Sequence, residues 1–256
     1  MNIKMIVTDL DGTLLRRNET VSEYALDVFR RVRGQGILFA FATARSLESS
    51  QEYREMLNPD GDIVTGGCLV YAREQLLCSY ALPVFRTKDL LSELCSNPAV
   101  TRVAARSMGS AYSNKPEKNR TCVDFRSGLP EGLLGASCRT DDSEFISPLV
   151  ARYPEFSFVH FSGSDFYDIN PIEATKFNGV KVLARHFNVP MTEVAAFGDD
   201  NNDVEMLREC GVGVAMGNAI EACNAVANYT CCDCDEDGVA KWLEDYIFRR
   251  RDILDY

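Results

Sequence analysis

The chain has 256 residues, a formal net charge of −11, 46% hydrophobic residues and 25% charged ones. That acidity excludes general nucleic-acid binding, which needs lysines and arginines to displace counterions. No apolar run reaches the roughly 20 residues of a bilayer span. The first ten residues carry Lys4 and Asp9 and no cleavage-like segment, so no signal peptide is expected, no membrane partner either, and the expected location is the cytoplasm.

The first predicted strand, IKMIVTD, runs apolar residues straight into Asp9, and Asp11 follows two positions on, before Gly12 and Thr13. A charge at the end of a buried strand is costly unless it is paired or bound to a metal. A helix is predicted from Glu23 to Arg33. Ala25, Val28, Phe29 and Val32 keep a helical period, Ser22 can cap the start, and Gly34 and Gly36 stop it. ILFAFAT is a continuous apolar run of strand length, as a strand covered on both faces requires. A polar helix is expected over RSLESSQEYREML, then a short strand at DIVTGG.

Alternating strand and helix at this spacing predicts a parallel α/β sheet with right-handed crossovers. The last third repeats the pattern: helix FNGVKVLARHF, strand EVAAFGDD, helix NDVEMLREC, strand GVGVAM and helix NAIEACNAVAN. Between about 82 and 171 the texture changes. Prolines punctuate the segment, and FSFVHFSGSDFYDI alternates as antiparallel strands do. The expected organisation is a core from 1–81 and 172–256 with an α+β insert at 82–171. The insert is nearly neutral, ten basic against eleven acidic residues, so the core carries the acidity.

Ligands bind beyond the carboxyl ends of strands in open parallel sheets. Asp9 and Asp11, Thr43, and Asp199 with Asp200 all stand at such ends, so three strands deliver polar groups to one edge. Converging carboxylates repel unless a hard cation sits among them, and Mg²⁺ prefers this oxygen-rich setting. The same set suits phosphoryl transfer. One carboxylate can attack phosphorus, and a second, two residues on, can act as acid and then base. Thr43 and the amides opening its helix can bind phosphate oxygens. Lys176 can neutralise charge on nucleophile and phosphate.

DLDGTLL at 9–15, ATARS at 42–46, Lys176 and GDDNND at 198–203 together resemble the four motifs of the haloacid dehalogenase (HAD) superfamily. The insert between the second and third resembles the cap of the Cof-like, type IIB branch. The likeness spans the chain, including EDGVAKWL near its end. It implies a Rossmann-like core, a type C2B cap, and a Mg²⁺-dependent phosphatase for small phosphorylated metabolites, sugar phosphates foremost, acting through an aspartyl phosphate.

The resemblance further implies Asp9 as nucleophile and metal ligand, and Asp11 as general acid/base that also binds the metal through its backbone carbonyl. Thr43 and the amides of Ala44, Leu10 and Gly12 would hold phosphate with Asn202 and Lys176, Asp199 would complete the metal site, and Asp203 would support it. Two positions depart from the family pattern. Ala44 stands where glycine is usual, and TGGC puts Gly66 where the common SNGA has asparagine.

Rival readings are a phosphomutase or phosphotransferase on the same core, and a receiver-type phosphoacceptor. The last is disfavoured because such modules are about half this length, lack a cap and carry the acceptor after a central strand. Arg106, Lys115, Arg126 and His160 are candidate substrate contacts in the cap, His160 first of all a structural residue. Ten cysteines include a single C-x-x-C, Cys231 and Cys234. With no second pair at zinc spacing they are expected to be reduced, incidental thiols.

Overall fold

A computed structural model describes residues 2–249. In chain order the elements are β1 (Met5–Thr8), α1 (Glu23–Gly34), β2 (Leu38–Ala42), α2 (Gln51–Leu57), β3 (Gly61–Val64), β4 (Leu69–Ala72), β5 (Gln75–Ser79) and α3 (Val84–Ser96). Then come β6 (Arg102–Ser107), β7 (Ser110–Ser113), β8 (Thr121–Cys122), β9 (Leu133–Arg139), α4 (Ser143–Arg152), β10 (Phe156–His160) and β11 (Phe166–Pro171). The chain closes with α5 (Lys176–His186), β12 (Val194–Gly198), α6 (Val204–Glu209), β13 (Val212–Ala215), α7 (Glu221–Asn224), β14 (Tyr229–Thr230) and α8 (Gly238–Leu243).

Two sheets result. The first has eight strands in the order β14-β13-β12-β1-β2-β3-β4-β5. From β14 to β3 it is parallel, and β4 and β5 add an antiparallel hairpin. Strand β1 is central, with Met5 to Thr8 all buried. Apolar side chains cover both faces, which is why its sequence and that of β2 read as unbroken hydrophobic runs. Helix α1 starts as its sequence predicts: the Ser22 hydroxyl accepts from the Ala25 amide, and Ala25, Val28, Phe29 and Val32 form the buried face. Burying each of the larger ones contributes about 1.5–3 kcal/mol.

The second sheet has six strands, β10-β11-β9-β6-β7-β8, drawn wholly from the insert. The β10–β11 pair is antiparallel, as its alternation predicts. Helices α3 and α4 pack Leu90, Leu91, Leu94, Ile146 and Leu149 into a separate apolar cluster beneath it. Hydrogen bonds that join the units include Gly109 amide to Glu48 Oε1 (3.0 Å), Ser162 amide to Asp200 Oδ2 (3.2 Å), Asn201 Nδ2 to the His160 carbonyl (2.9 Å) and Cys68 Sγ to the Leu134 carbonyl (3.1 Å). No helix among the described residues is long and apolar enough to cross a membrane.

Three expectations need correction. The helix expected over 45–57 occupies only Gln51–Leu57. Ser46, Ser49 and Ser50 turn their hydroxyls onto nearby backbone, Ser50 Oγ reaching the Ser46 carbonyl at 2.8 Å, and this local bonding competes with helix. The helix expected over 218–228 shrinks to α7, Glu221–Asn224. The β4–β5 hairpin was not anticipated, because its turn places Arg73 at φ 53°, where asparagine or glycine is the usual signal.

Candidate active site

Strands β1, β2 and β12 end side by side, and the loops beyond them hold the predicted residues. Asp9 is 5% exposed and Lys176, the first residue of α5, only 2%. The Lys176 ammonium lies 2.7 Å from Asp9 Oδ1 and 2.7 Å from Asp203 Oδ1. The other Asp203 oxygen accepts from the amides of Asp199 (3.0 Å) and Asp200 (3.2 Å). Both Asp203 oxygens are thereby engaged, which suits a group that shapes the loop. Asp199 accepts from the Thr13 hydroxyl at 2.6 Å.

Carboxylate oxygens of Asp9, Asp199 and Asp203 lie within 4.8 Å of one another. Burial pushes the Asp9 carboxyl well above the ordinary range, Lys176 pulls it back, and Asp203 and Asp199 push it up again. Burial, with Asp203 beside it, raises Asp199 to about 7. Burial works against the Lys176 charge, but Asp203 and Asp9 overcome it and hold the ammonium above the usual lysine range. Gly12, at φ 73°, lets the turn pass so close that a Cβ there would meet Asp199 Oδ2 at 2.4 Å. One lysine faces three carboxylates, so this oxygen-rich donor set is short of positive charge and fits a hard divalent cation.

A cavity of about 200 Å³ opens over this cluster, lined by Asp9, Asp11, Ala44, Phe161, Asp199 and Asn202 among others. Leu10 and Gly12 lie in the turn after β1, Leu10 with its side chain buried in the core. Thr43 is fully buried, and its hydroxyl accepts from the Arg45 amide at 3.1 Å, which leaves its own proton available to a ligand. The amides beside Thr43 belong to a turn, so the helix start expected there is absent. Asn202 Oδ1 is buried without a hydrogen-bond partner.

Asp11 points elsewhere than the lysine: its carboxylate takes the Arg45 guanidinium, Nε at 2.9 Å and Nη2 at 2.5 Å. Arg45, Thr13 and Asn218, whose side-chain amide donates to the Gly12 carbonyl at 2.7 Å, were not singled out from sequence. Arg45 and Thr13 stand inside quoted motifs, and that position was the available signal. Phe161, reaching in from the cap, had none.

Among the cap candidates, Arg106 lines the cleft, whereas Lys115 is exposed and Arg126 pairs with Asp124 at 2.9 Å. His160 stacks on Tyr167 (4.5 Å) and contacts the Ser164 carbonyl (2.7 Å), a structural setting. Gly66 fits its surroundings, since a side chain there would meet Asn170 Nδ2 at 2.7 Å. Cys231 and Cys234 have separate partners, Met216 Sδ (3.3 Å) and Asp233 Oδ1 (3.5 Å). Burial pushes their thiols up to about 12 and 11, outside the range of reactive or ligating thiolates.

A parallel core gathering strand-end carboxylates around one buried lysine, roofed by a second sheet, defines a hydrolase working at phosphorus. The chain belongs to the haloacid dehalogenase-like hydrolase family, whose model matches residues 6–129 and 137–243. It is 29% identical over 267 residues to the 5-amino-6-(5-phospho-D-ribitylamino)uracil phosphatase YitU of Bacillus subtilis (strain 168), covering 95% of this chain and 97% of that protein. The fold is shared with the HAD subclass IIB sugar phosphatase BT4131, at TM-score 0.85 and 22% identity over 95% of this chain and 98% of that one. It is shared too with BT1666 from Bacteroides thetaiotaomicron, at TM-score 0.83 and 24% identity over 95% and 94%. The enzyme class is phosphatase, a phosphoric monoester hydrolase.

Proposed function

We propose that this phosphatase hydrolyses small phosphorylated metabolites, sugar phosphates foremost, through an aspartyl phosphate on Asp9. The observation that carries the reading is the contact between Asp9 and Lys176 at 2.7 Å, beside Asp199 and Asp203 at the floor of an open cleft. Lys176 orients Asp9 and works against the burial that disfavours its charge, as a carboxylate nucleophile requires. Asp9 attacks phosphorus, and the ester oxygen leaves on the opposite side with a proton from Asp11. Asp11 then takes a proton from water, which splits the acyl phosphate and releases inorganic phosphate.

Asp9, Asp199 and the Asp11 carbonyl would hold the magnesium ion, with Asp203 fixing their loop. When bound, the ion supplies positive charge beside the phosphoryl oxygens. Thr43, Asn202 and the amides of Leu10, Gly12 and Ala44 serve the same oxygens. The insert at 82–171 acts as the cap, where Phe161 screens the cleft from water. The substrates named for YitU and BT4131, a phosphorylated ribityl compound and sugar phosphates, support a polyol or sugar ester. A cytoplasmic location fits ten free thiols.

The test is release of inorganic phosphate from hexose phosphates with magnesium present. Rapid release supports hydrolysis over transfer to a second hydroxyl. Asp9→Asn, folded by circular dichroism, should abolish turnover; near-normal rates in that variant would overturn the assignment.

A further inference from the structure

Beyond Ala44 the catalytic cavity adjoins a second one of about 270 Å³, whose cap-side wall carries Arg102, Arg106 and Arg120 against the single lining carboxylate of Asp168. Ser46 and Ser49 line it from the core side. It lies on the insert side of the proposed phosphoryl site, where a leaving group has room to extend.

The three arginines differ in how they are paired. Arg106 holds Asp168 in a two-point contact (2.7 and 3.0 Å) and donates to Asn170 Oδ1 at 2.5 Å. Gly135 leaves room for it, since a Cβ there would meet Arg106 Nη2 at 2.5 Å. Its Nε is buried with no acceptor. Arg102 grips Glu117 with two bonds of 2.6 and 2.9 Å. Glu117, which also accepts from Ser113 at 2.8 Å, has little left for Arg120, whose Nε stands at 3.4 Å.

Arg120 is held in place all the same: a bridge pairs it with Glu117, and Asn119 between them takes φ 62°. Its charge is opposed by burial first, then by Arg102 and Arg106, while Glu117 compensates only in part. Arg102 is thus a closed structural pair, Arg106 is paired with one donor left unmet, and Arg120 is a fixed cation that shares an anion already held by Arg102. Glu48 lines the next cavity, of about 440 Å³, where its Oε1 already accepts the Gly109 amide.

We propose that this arginine wall binds a second anionic group on the leaving group, so that the substrate is a phosphate ester of a compound also bearing a carboxylate or another phosphate. The inference rests on the phosphatase reading above and narrows it. Arg120 is the specificity-determining residue, and Arg102 and Arg106 position it.

Three probes of one carbon skeleton test the idea on the full chain with magnesium: a hexitol 6-phosphate, its counterpart with a carboxylate at C1, and the 1,6-bisphosphate. A charged probe should exceed the neutral one at least tenfold in kcat/KM, about 1.4 kcal/mol, mostly through KM, and the margin should shrink as salt rises. Whichever charged probe is preferred identifies the group. Arg120→Gln should erase the margin while leaving the neutral probe within twofold, and Arg120→Lys should restore part of it. Turnover of p-nitrophenyl phosphate with no preference among the three, or an equal loss on all three in Arg120→Gln, overturns this inference alone. Failure to release phosphate from any of the four esters overturns the phosphatase reading and this inference with it.

Discussion

Arg45 holds the carboxylate of Asp11 in a forked contact, with Nε 2.9 Å from one oxygen and Nη2 2.5 Å from the other. The same arginine lies over the Tyr53 ring at 5.1 Å. The turn after β2 therefore fixes where the side chain after β1 stands, and Arg45 sets the aim of the proposed general acid. Replacing Arg45 by methionine keeps the stem and removes the fork. We expect kcat to fall about tenfold with KM changed less, as for a lost orienting contact. Steady-state kinetics check this, and an unchanged kcat would separate Arg45 from turnover. Asp11→Asn should cost more, on the order of 100-fold, and should let phosphoenzyme accumulate.

Lys176 compensates two carboxylates at once from a fully buried position. Lys176→Met keeps most of the volume and leaves Asp9 and Asp203 facing each other. Breaking a buried ion pair from one side costs about 3–5 kcal/mol. Urea unfolding without magnesium should show that loss, and phosphate release should fall by at least ~100-fold.

The crowded carboxylates imply that a divalent cation stabilises the native state. Magnesium at about a hundred times its dissociation constant should add ~2.7 kcal/mol, seen as a rise in thermal midpoint. Asp199→Asn should remove most of the rise. A midpoint that ignores magnesium in the native sequence would argue against the cluster as a cation site.

Asp62 lies away from the cleft, 1% exposed, with Arg54 Nε at 3.1 Å. Burial raises its carboxyl from 3.8 to about 6, against the pull of Arg54. A group whose pKa is raised on folding favours the native state when protonated. Its contribution is therefore full below about pH 4 and lost as pH climbs through 6. Two pKa units correspond to roughly 3 kcal/mol at most. Asp62→Asn carries no such dependence, so its stability relative to the native protein should improve between pH 4.5 and 7.5. Denaturant titrations at the two values measure the difference.

Much of this was legible in the chain itself. Buried parallel strands must be apolar on both faces, so the aspartates closing β1 and β12 stood out against them, and a lysine opening a helix after the insert completed the pattern. What stayed hidden depends on distance or on competition. Thr13 and Asp199 meet across 186 positions, and no local pattern announces it. The stretch after Thr43 reads as helix by composition, yet serine hydroxyls capture its backbone. The β4–β5 hairpin escaped because β4 is buried throughout while β5 is largely open, so neither alternates. Arg120 was passed over because a cation's importance depends on whether its neighbours are already taken.

The hydrogen bonds that join Ser162 to Asp200, Asn201 to His160 and Gly109 to Glu48 also bear on how the roof is fastened. Each is an ordinary contact of about 0.5–1.5 kcal/mol, and at another point of the seam Leu134 of the insert packs into the core cluster beside Cys68, whose thiol donates to its carbonyl at 3.1 Å. Because Asp200 neighbours Asp199, the Ser162 contact ties the insert to the loop that carries the proposed metal-binding carboxylate, so the roof and the floor of the cleft share one segment of chain.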